Sequence, residues 1–404
     1  MNQALLILAL AFSGDDPKVA TRPVPTPDEQ FRFLRDNHQA AFDAFEKASK
    51  AAKTDAQQAA VLEHSGRQTP KFMPPFMALA RAYPGTTAAE DALLWVATHA
   101  IASTDCIEAK LLLARDFARG PKIGAALGFQ GRYADYSEVS EAFFRKVMAD
   151  NPDRDIRGLA TYWLARHLLP KAKASRQARK DPTYGRAANV SYYAYLGADW
   201  PDRLRKLDPD ALEAEAEALL ERVVKFYAEV PHNDKRRKPG TLGEAARSYL
   251  REGRDLAVGR LAIAFEGIDL DGRPFRLKDQ RGKVVLLDFG SHFYCGSCRE
   301  VYPKLRELTT RLAGRPFVVV SVNAEPDKAR ADLKAAWAEA GNNWPCLLDG
   351  DWEGPIQKAY NVTRFPTIYL LDAEGTIRLK NAVGGDAEAE IEKLIAEAEK
   401  TAAK

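Results

Sequence analysis

Apolar residues follow two different rhythms along this chain. Between Asp28 and about Val258 they recur at helical spacing in sequence rich in Ala, Leu, Glu and Arg, and no run there reads as a strand. Phe31, Phe33, Leu34, Phe42 and Phe45 open the region and Ala56 to Leu62 continue it. The prolines from Thr69-Pro70 to Pro74-Pro75 predict a break. From Leu261 the period shortens. Residues 265–277 alternate around Asp271-Gly272, a hairpin signal. Val284-Val285-Leu286-Leu287-Asp288-Phe289 predicts a buried strand, and Val301, Leu305, Leu308 and Leu312 mark a helix over 299–313. Further strands are expected over 317–322, 346–349, 366–371 and 376–380, with helical segments over 326–340, 354–360 and 387–402. Strands and helices that alternate and close on a hairpin and a helix describe a mixed sheet covered on both faces.

The helical region carries a weak internal repeat. Phe76 to Pro84 is one helix ended by proline, and Ala92, Trp95, Ala97 and His99 follow at offsets 8, 11, 13 and 15 from Pro84. Ala160, Trp163, Ala165 and His167 stand at the same offsets from Pro152, after the helical stretch from Ala142. A looser third copy runs from Ala218 through Pro231 to a return helix at Leu242–Leu250, separated by the basic loop Lys235-Arg236-Arg237-Lys238. Helix, proline turn and second helix with small residues form a hairpin that buries its apolar face by stacking. A generic helical bundle is the alternative. His99, His167, Trp95, Trp163 and Tyr192-Tyr193-Tyr195 read as packing residues. The basic stretch Lys171 to Lys180 reads as a solvated helix face or loop.

Composition adjusts this picture in a few places. A length of 404 residues calls for two or three domains, and 46% apolar residues suffice to fill their cores. The net charge of +3, spread over many residues of both signs, points to no nucleic-acid partner. Four cysteines are too few for a disulfide scaffold. Cys106 and Cys346 stand alone and the six histidines are scattered, so neither a metal nor another cofactor is expected. Ala4 to Phe12 form an apolar run too short to span a bilayer, followed by small residues that suit cleavage near Ser13. The run predicts a signal peptide over 1–13 and export, although its n-region lacks Lys and Arg; the alternative is an uncleaved apolar helix. A Pro-rich linker is expected over 14–27, a helical domain over 28–256 and the mixed-sheet domain over 257–404.

The remaining two cysteines, Cys295 and Cys298, lie two residues apart between strand 284–289 and the next helix. Unpaired N–H groups and the macrodipole at a helix N-terminus favour a thiolate. The spacing with its surroundings resembles the TlpA/ResA-like family of thioredoxin-fold thiol–disulfide oxidoreductases. The resemblance covers about the last 145 residues. It rests on Asp-Gly followed by Leu277, Gly282-Lys283-Val284-Val285-Leu286, Cys-x-x-Cys-Arg, Pro303 five after Cys298, and Arg364-Phe365-Pro366-Thr367. It implies a thioredoxin-like α/β/α domain with a mixed central sheet, which together with the repeat-like, all-α region read upstream makes an α + α/β chain.

The resemblance also implies roles. Cys295, expected to be the exposed member, would attack a disulfide, and Cys298 would resolve the mixed disulfide. Pro366 matches the family's cis-proline, which would leave the backbone edge of Phe365 free to pair with a substrate strand. Tyr294, Phe365 and Thr367 are the expected substrate contacts. Asp288 matches the buried aspartate of thioredoxin, and with a raised pKa it would exchange a proton with Cys298; a strand-end carboxylate paired with Lys283 is the alternative. Tyr294 and Gly290 stand where relatives carry Trp, Val301 where many carry Glu, and Ser297 where Pro is common. The Asp288-to-Cys295 segment is also one residue longer than usual. His292 is close enough in sequence to lower a thiol pKa if protonated, or else faces solvent. Cys346 and Cys106 read as buried small hydrophobes.

The first functional expectation is an extracytoplasmic, periplasmic-type oxidoreductase acting on protein disulfides or dithiols, with a reducing partner and with a further protein partner on the helical domain. A peroxiredoxin-like thiol peroxidase and a helical partner-binding protein with a residual dithiol are the alternatives.

Overall fold

The structure is a computed structural model and describes residues 24–65, 68–100, 103–131, 136–184, 196–232, 240–351, 354–381 and 385–403. The expected signal peptide, most of the Pro-rich linker, the tyrosines at 192–195 and the basic loop at 235–238 lie outside these residues. The chain divides into two compact units between Arg247 and Ser248.

The first unit is helical. Its first described helix, Pro27–Ala51, opens with a capping box in which Thr26 accepts from the Glu29 N–H and Glu29 accepts from the Thr26 N–H. The first two of the three hairpins expected from the repeat are present as neighbouring helices, Gln68–Ala82 with Thr87–His99 and Glu138–Asp150 with Arg154–Lys180. Two expectations fail here. The helix Gln68–Ala82 runs unbroken through Pro74 and Pro75. Two interior prolines forgo hydrogen bonds at roughly 3 kcal/mol or more each. Burial of Met73, Phe76, Met77 and Leu79 on one face offsets that, with Phe76 stacked 4.0 Å from Trp95. A short antiparallel pair also interrupts the all-helical region, β1 (Pro231–His232) with β2 (Gly240–Thr241), flanking the basic loop.

The tryptophans and histidines are packing residues, as expected. Trp95 is stacked on His99 at 4.3 Å, and the His99 Nδ1 lies 2.8 Å from the Trp95 carbonyl. The stretch Lys171–Lys180 is the end of a helix and is only partly solvated. Lys171 is buried and pairs with Glu141 at 2.7 Å, and Arg176 pairs with Glu213 and Asp210. Cys106 is buried, its sulfur 3.3 Å from the Ala100 carbonyl.

In the second unit, β3 (Glu266–Ile268) and β4 (Pro274–Arg276) form the hairpin around Asp271-Gly272, with Gly272 at φ +82°. β5 (Val284–Gly290), β6 (Phe317–Asn323), β7 (Cys346–Leu348), β8 (Thr367–Leu371) and β9 (Ile377–Lys380) form one mixed sheet in the order β7-β6-β5-β8-β9. β5 pairs parallel with β6 and antiparallel with β8. β5 is buried along its whole length and its side chains alternate between two cores. Val284 and Leu286 pack with Tyr302, Leu305, Leu308, Ile391 and Leu394 on one face. Val285, Leu287 and Phe289 pack with Tyr360 and Tyr369 on the other. Within this unit Ser248 hydrogen-bonds Asn361, and Glu252 pairs with Lys380.

Packing in the helical unit is tight where glycine permits it. A β-carbon on Gly131 would lie 2.3 Å from the ring of Trp163. Gly131→Ala is expected to lower stability by about 2 kcal/mol or more, measured by denaturant unfolding of the whole chain. An unchanged midpoint would contradict that packing.

Candidate active site

The site forms where β5 ends. A strand buried on both faces delivers Gly290 to the carboxyl edge of the sheet, and residues 291–295 carry the chain into the helix Gly296–Arg311. Cys295 is the N-cap of that helix, and its sulfur accepts from the Cys298 N–H at 3.1 Å. Cys295 and Cys298 are joined as a disulfide. Cys298 is fully buried and Cys295 is 8% exposed. Cys295 is thus the more accessible of the two, but less open than expected.

Gly290 explains one departure from the family pattern. A β-carbon there would lie 3.1 Å from the Cys298 sulfur and 3.8 Å from the Tyr302 hydroxyl. Cys298 is seated on the bare backbone, and a side chain at position 290 would require its sulfur to shift.

Asp288 lies two residues earlier on the same strand, and therefore on the face that carries Gly290 and Cys298. It is 1% exposed. Its Oδ2 accepts from the Ser321 hydroxyl at 3.1 Å, while Oδ1 has no hydrogen-bond partner. Burial raises its pKa to about 7, against a lowering effect of the Ser321 donor. The alternative reading of an ion pair with Lys283 is wrong. Lys283 is exposed, and no Lys or Arg pairs with Asp288 among the described residues.

Sequence reasoning missed the second buried acid. Glu325, just beyond β6, is 0% exposed. Its Oε1 accepts from the Ser291 hydroxyl at 2.7 Å and from the Phe293 N–H at 3.0 Å. Ser291 in turn accepts from the Tyr294 N–H. Glu325 therefore holds the loop that precedes Cys295, and burial raises its pKa. The only sequence signal was its place after the apolar run of β6. Asn323 takes part in the same loop, its Oδ1 accepting from the His292 N–H at 3.2 Å.

His292 follows neither of its expected readings. Its ring lies parallel to Tyr302 at 5.8 Å and edge-on to Trp337 at 6.0 Å. Burial, then Arg299, lowers its pKa, so it is neutral near pH 7 and supplies no positive charge to the dithiol. Arg299 donates to the carbonyls of His292 and Phe293 instead. Cys346 is buried among this group, and burial holds its thiol well above the usual range.

Pro366 is preceded by a cis peptide bond from Phe365. β8 runs antiparallel to β5 with Thr367 opposite Phe289, which brings Phe365-Pro366 to the sheet edge where the cysteine loop begins. Phe365 packs in part against the core cluster that contains both cysteines, and Thr367 donates to the Arg364 carbonyl at 2.8 Å. Tyr294 is 75% exposed. The described residues contain no group of three or more His, Cys, Asp or Glu placed to hold a metal.

A mixed five-stranded sheet with a vicinal cysteine pair at a helix N-terminus and a cis-proline at the same edge defines a thioredoxin-fold dithiol protein. The Redoxin family model matches residues 257–395. Over 132 residues the chain is 30% identical to the thioredoxin-like protein YneN of Bacillus subtilis, covering 32% of this chain and 75% of that protein. It is likewise 30% identical over 131 residues to the thiol-disulfide oxidoreductase ResA of Geobacillus thermodenitrificans, covering 32% of this chain and 72% of that one. A crystal structure of the thioredoxin domain of a thiol-disulfide oxidoreductase from Bacteroides vulgatus is 32% identical, with 34% of this chain and 98% of that chain covered and a TM-score of 0.31. The chain belongs to the ResA-like thiol-disulfide oxidoreductases of the redoxin family.

A carboxyl whose folded pKa lies above its unfolded value adds stability below the unfolded pKa, and that stability is lost as pH rises through the folded pKa. For Asp288 the window runs from about 4 to about 7. Asp288→Asn is therefore expected to match the wild type near pH 4 and to exceed it by on the order of 4 kcal/mol at pH 8, measured by urea unfolding. A difference that does not change with pH would contradict the burial of an ionisable Asp288.

Proposed function

We propose that this chain reduces or exchanges disulfides in partner proteins through Cys295 and Cys298. The observation that carries this reading is the asymmetry of the pair. Cys295 caps a helix at the accessible edge, whereas Cys298 is enclosed between Gly290 and the core on the face that carries Asp288. In the reduced protein the Cys295 thiolate attacks a substrate disulfide, forming a mixed disulfide and releasing one substrate thiolate. Cys298 then gives its proton to the Asp288 carboxylate and attacks the Cys295 sulfur. The bond between Cys295 and the substrate breaks, the Cys295–Cys298 disulfide forms, and the second substrate sulfur leaves as a thiolate. Two electrons pass to the substrate, and a dithiol partner must restore the reduced state.

The cis-proline edge supports a strand-pairing role for the Phe365 backbone, with Thr367 beside it and Tyr294 as an exposed aromatic contact. The dithiol is Cys-Gly-Ser-Cys, with Ser297 Oγ 3.4 Å from the Cys295 sulfur. His292 occupies the place where a peroxidatic centre needs Thr, and its packing on Tyr302 favours the dithiol reading over the peroxidase. The apolar run Ala4–Phe12 supports export to an oxidising compartment, in which such a dithiol finds disulfide substrates. The stacked helical hairpins support a second protein contact on the helical unit, consistent with a helical-repeat array.

Cys295→Ser is expected to abolish insulin reduction under dithiothreitol. Cys298→Ser is expected to accumulate mixed disulfides with substrate proteins in cells, readable on non-reducing gels. Asp288→Asn is expected to slow mixed-disulfide resolution on the order of tenfold or more at pH 7 and to remove the rise in rate through pH 7. Insulin reduction that survives Cys295→Ser would sink the reading.

A further inference from the structure

Asp288 is joined to a hydrogen-bond chain whose direction is fixed by chemistry. Trp344, on the segment before β7, donates its Nε1–H to the Ser321 Oγ at 2.9 Å. Ser321, opposite Asp288 in the β5–β6 register, lies 3.1 Å from Asp288 Oδ2. An indole nitrogen donates and never accepts. The Ser321 oxygen is therefore already an acceptor, and its own hydrogen finds its acceptor in Asp288 Oδ2. Trp344 and Ser321 are 6% and 1% exposed, so water does not compete for these bonds.

We infer that Trp344 and Ser321 are positioning residues for the dithiol reaction: they reserve Asp288 Oδ2 as a hydrogen-bond acceptor and so direct the proton released by Cys298 onto Oδ1. This rests on the assignment of Asp288 as the proton acceptor made above. A proton on Oδ2 would turn the Ser321 hydroxyl hydrogen away from its acceptor in a dry site, an arrangement that buried polar groups avoid. Oδ1 has no partner to displace. The proton balance is closed, since the Cys298 thiol loses the proton that Oδ1 gains.

Two titratable groups act on this carboxyl, Tyr302 from the helix Gly296–Arg311 and Cys346 from β7, and Asn323 of β6 and Glu325 beyond it act on those two in turn; Cys298 lies on the same strand face. On β8 the residue opposite Asp288 is Ile368, which cannot donate. Burial and the neighbouring Asp288 hold both Tyr302 and Cys346 protonated near neutral pH. Glu325 is the other ionisable acid in the group, and its hydrogen bonds go to the loop at 291–293. The Ser321 donor is thus the single hydrogen bond that Asp288 receives from a side chain among the described residues.

The test is the pH dependence of mixed-disulfide resolution in the full-length chain, read together with a carbon-13 NMR titration of the Asp288 carboxyl. Ser321→Ala removes a donor that favours the ionised form and is expected to raise the midpoint by about one pH unit. The ionised fraction at pH 7 then falls from about half to about a tenth, so resolution slows roughly fivefold. Ser321→Thr keeps the hydroxyl and is expected to retain the wild-type midpoint. Trp344→Phe deletes the N–H and is expected to raise the midpoint by less, and to add nothing in the Ser321→Ala background. An Asp288 midpoint unmoved by Ser321→Ala, with the pH limb still abolished by Asp288→Asn, overturns this inference and leaves the proposed function standing. A limb that survives Asp288→Asn overturns both.

Discussion

The sulfur of Cys298 rests against the end of β5, 3.1 Å from the point where a β-carbon on Gly290 would lie. That close approach needs a strand buried on both faces, a glycine at its end and a helix that starts at Cys295. It also sets Cys298 on the same strand face as Asp288, two residues back. Everything chemical in the molecule follows from this seating. The accessible cysteine is left at the helix N-terminus, where main-chain N–H groups favour a thiolate. The enclosed cysteine has a buried carboxyl on its strand face, and among the described residues no positive charge pairs with that carboxyl.

The floor of the site is costly to build. Asp288 and Glu325 are both carboxyls taken out of water with no cation partner among the described residues. Burial of an ion is unfavourable unless neighbours donate to it, so each answers by a raised pKa. For Asp288 the outcome is a group half ionised near neutral pH, the condition in which a proton acceptor works most effectively. Glu325 spends its hydrogen bonds on the loop before Cys295 and acts on the dithiol through backbone position. Under the proposed mechanism the two acids divide the tasks of proton handling and loop support.

Much of this was legible in the sequence where the signal is local. The strands of the second unit appear within a residue or two of their apolar runs. The Cys-x-x-Cys, Pro303 and Phe365-Pro366-Thr367 spacings point to the fold, and the structure brings Cys295, Cys298 and Phe365-Pro366 to one edge of the sheet. What failed was long-range. Lys283 is near Asp288 in sequence, but its side chain is in solvent, whereas Ser321 meets Asp288 only through the β5–β6 register. Trp344 enters from a third segment. Glu325 and His292 took their roles from packing against the cysteine loop and Tyr302, which no spacing rule encodes. In the helical unit, Pro74 and Pro75 sit inside a helix because the burial of Phe76 and its neighbours outweighs a local preference.

Asp288 is a buried carboxyl with no cation partner among the described residues, and the proposed chemistry requires it to exchange its proton near neutral pH. The direct measurement is a carbon-13 NMR titration of its carboxyl in the oxidised chain, with the signal assigned by its loss in Asp288→Asn. A midpoint close to 7 is expected. A midpoint below about 5, in the ordinary range for an aspartate, would contradict it.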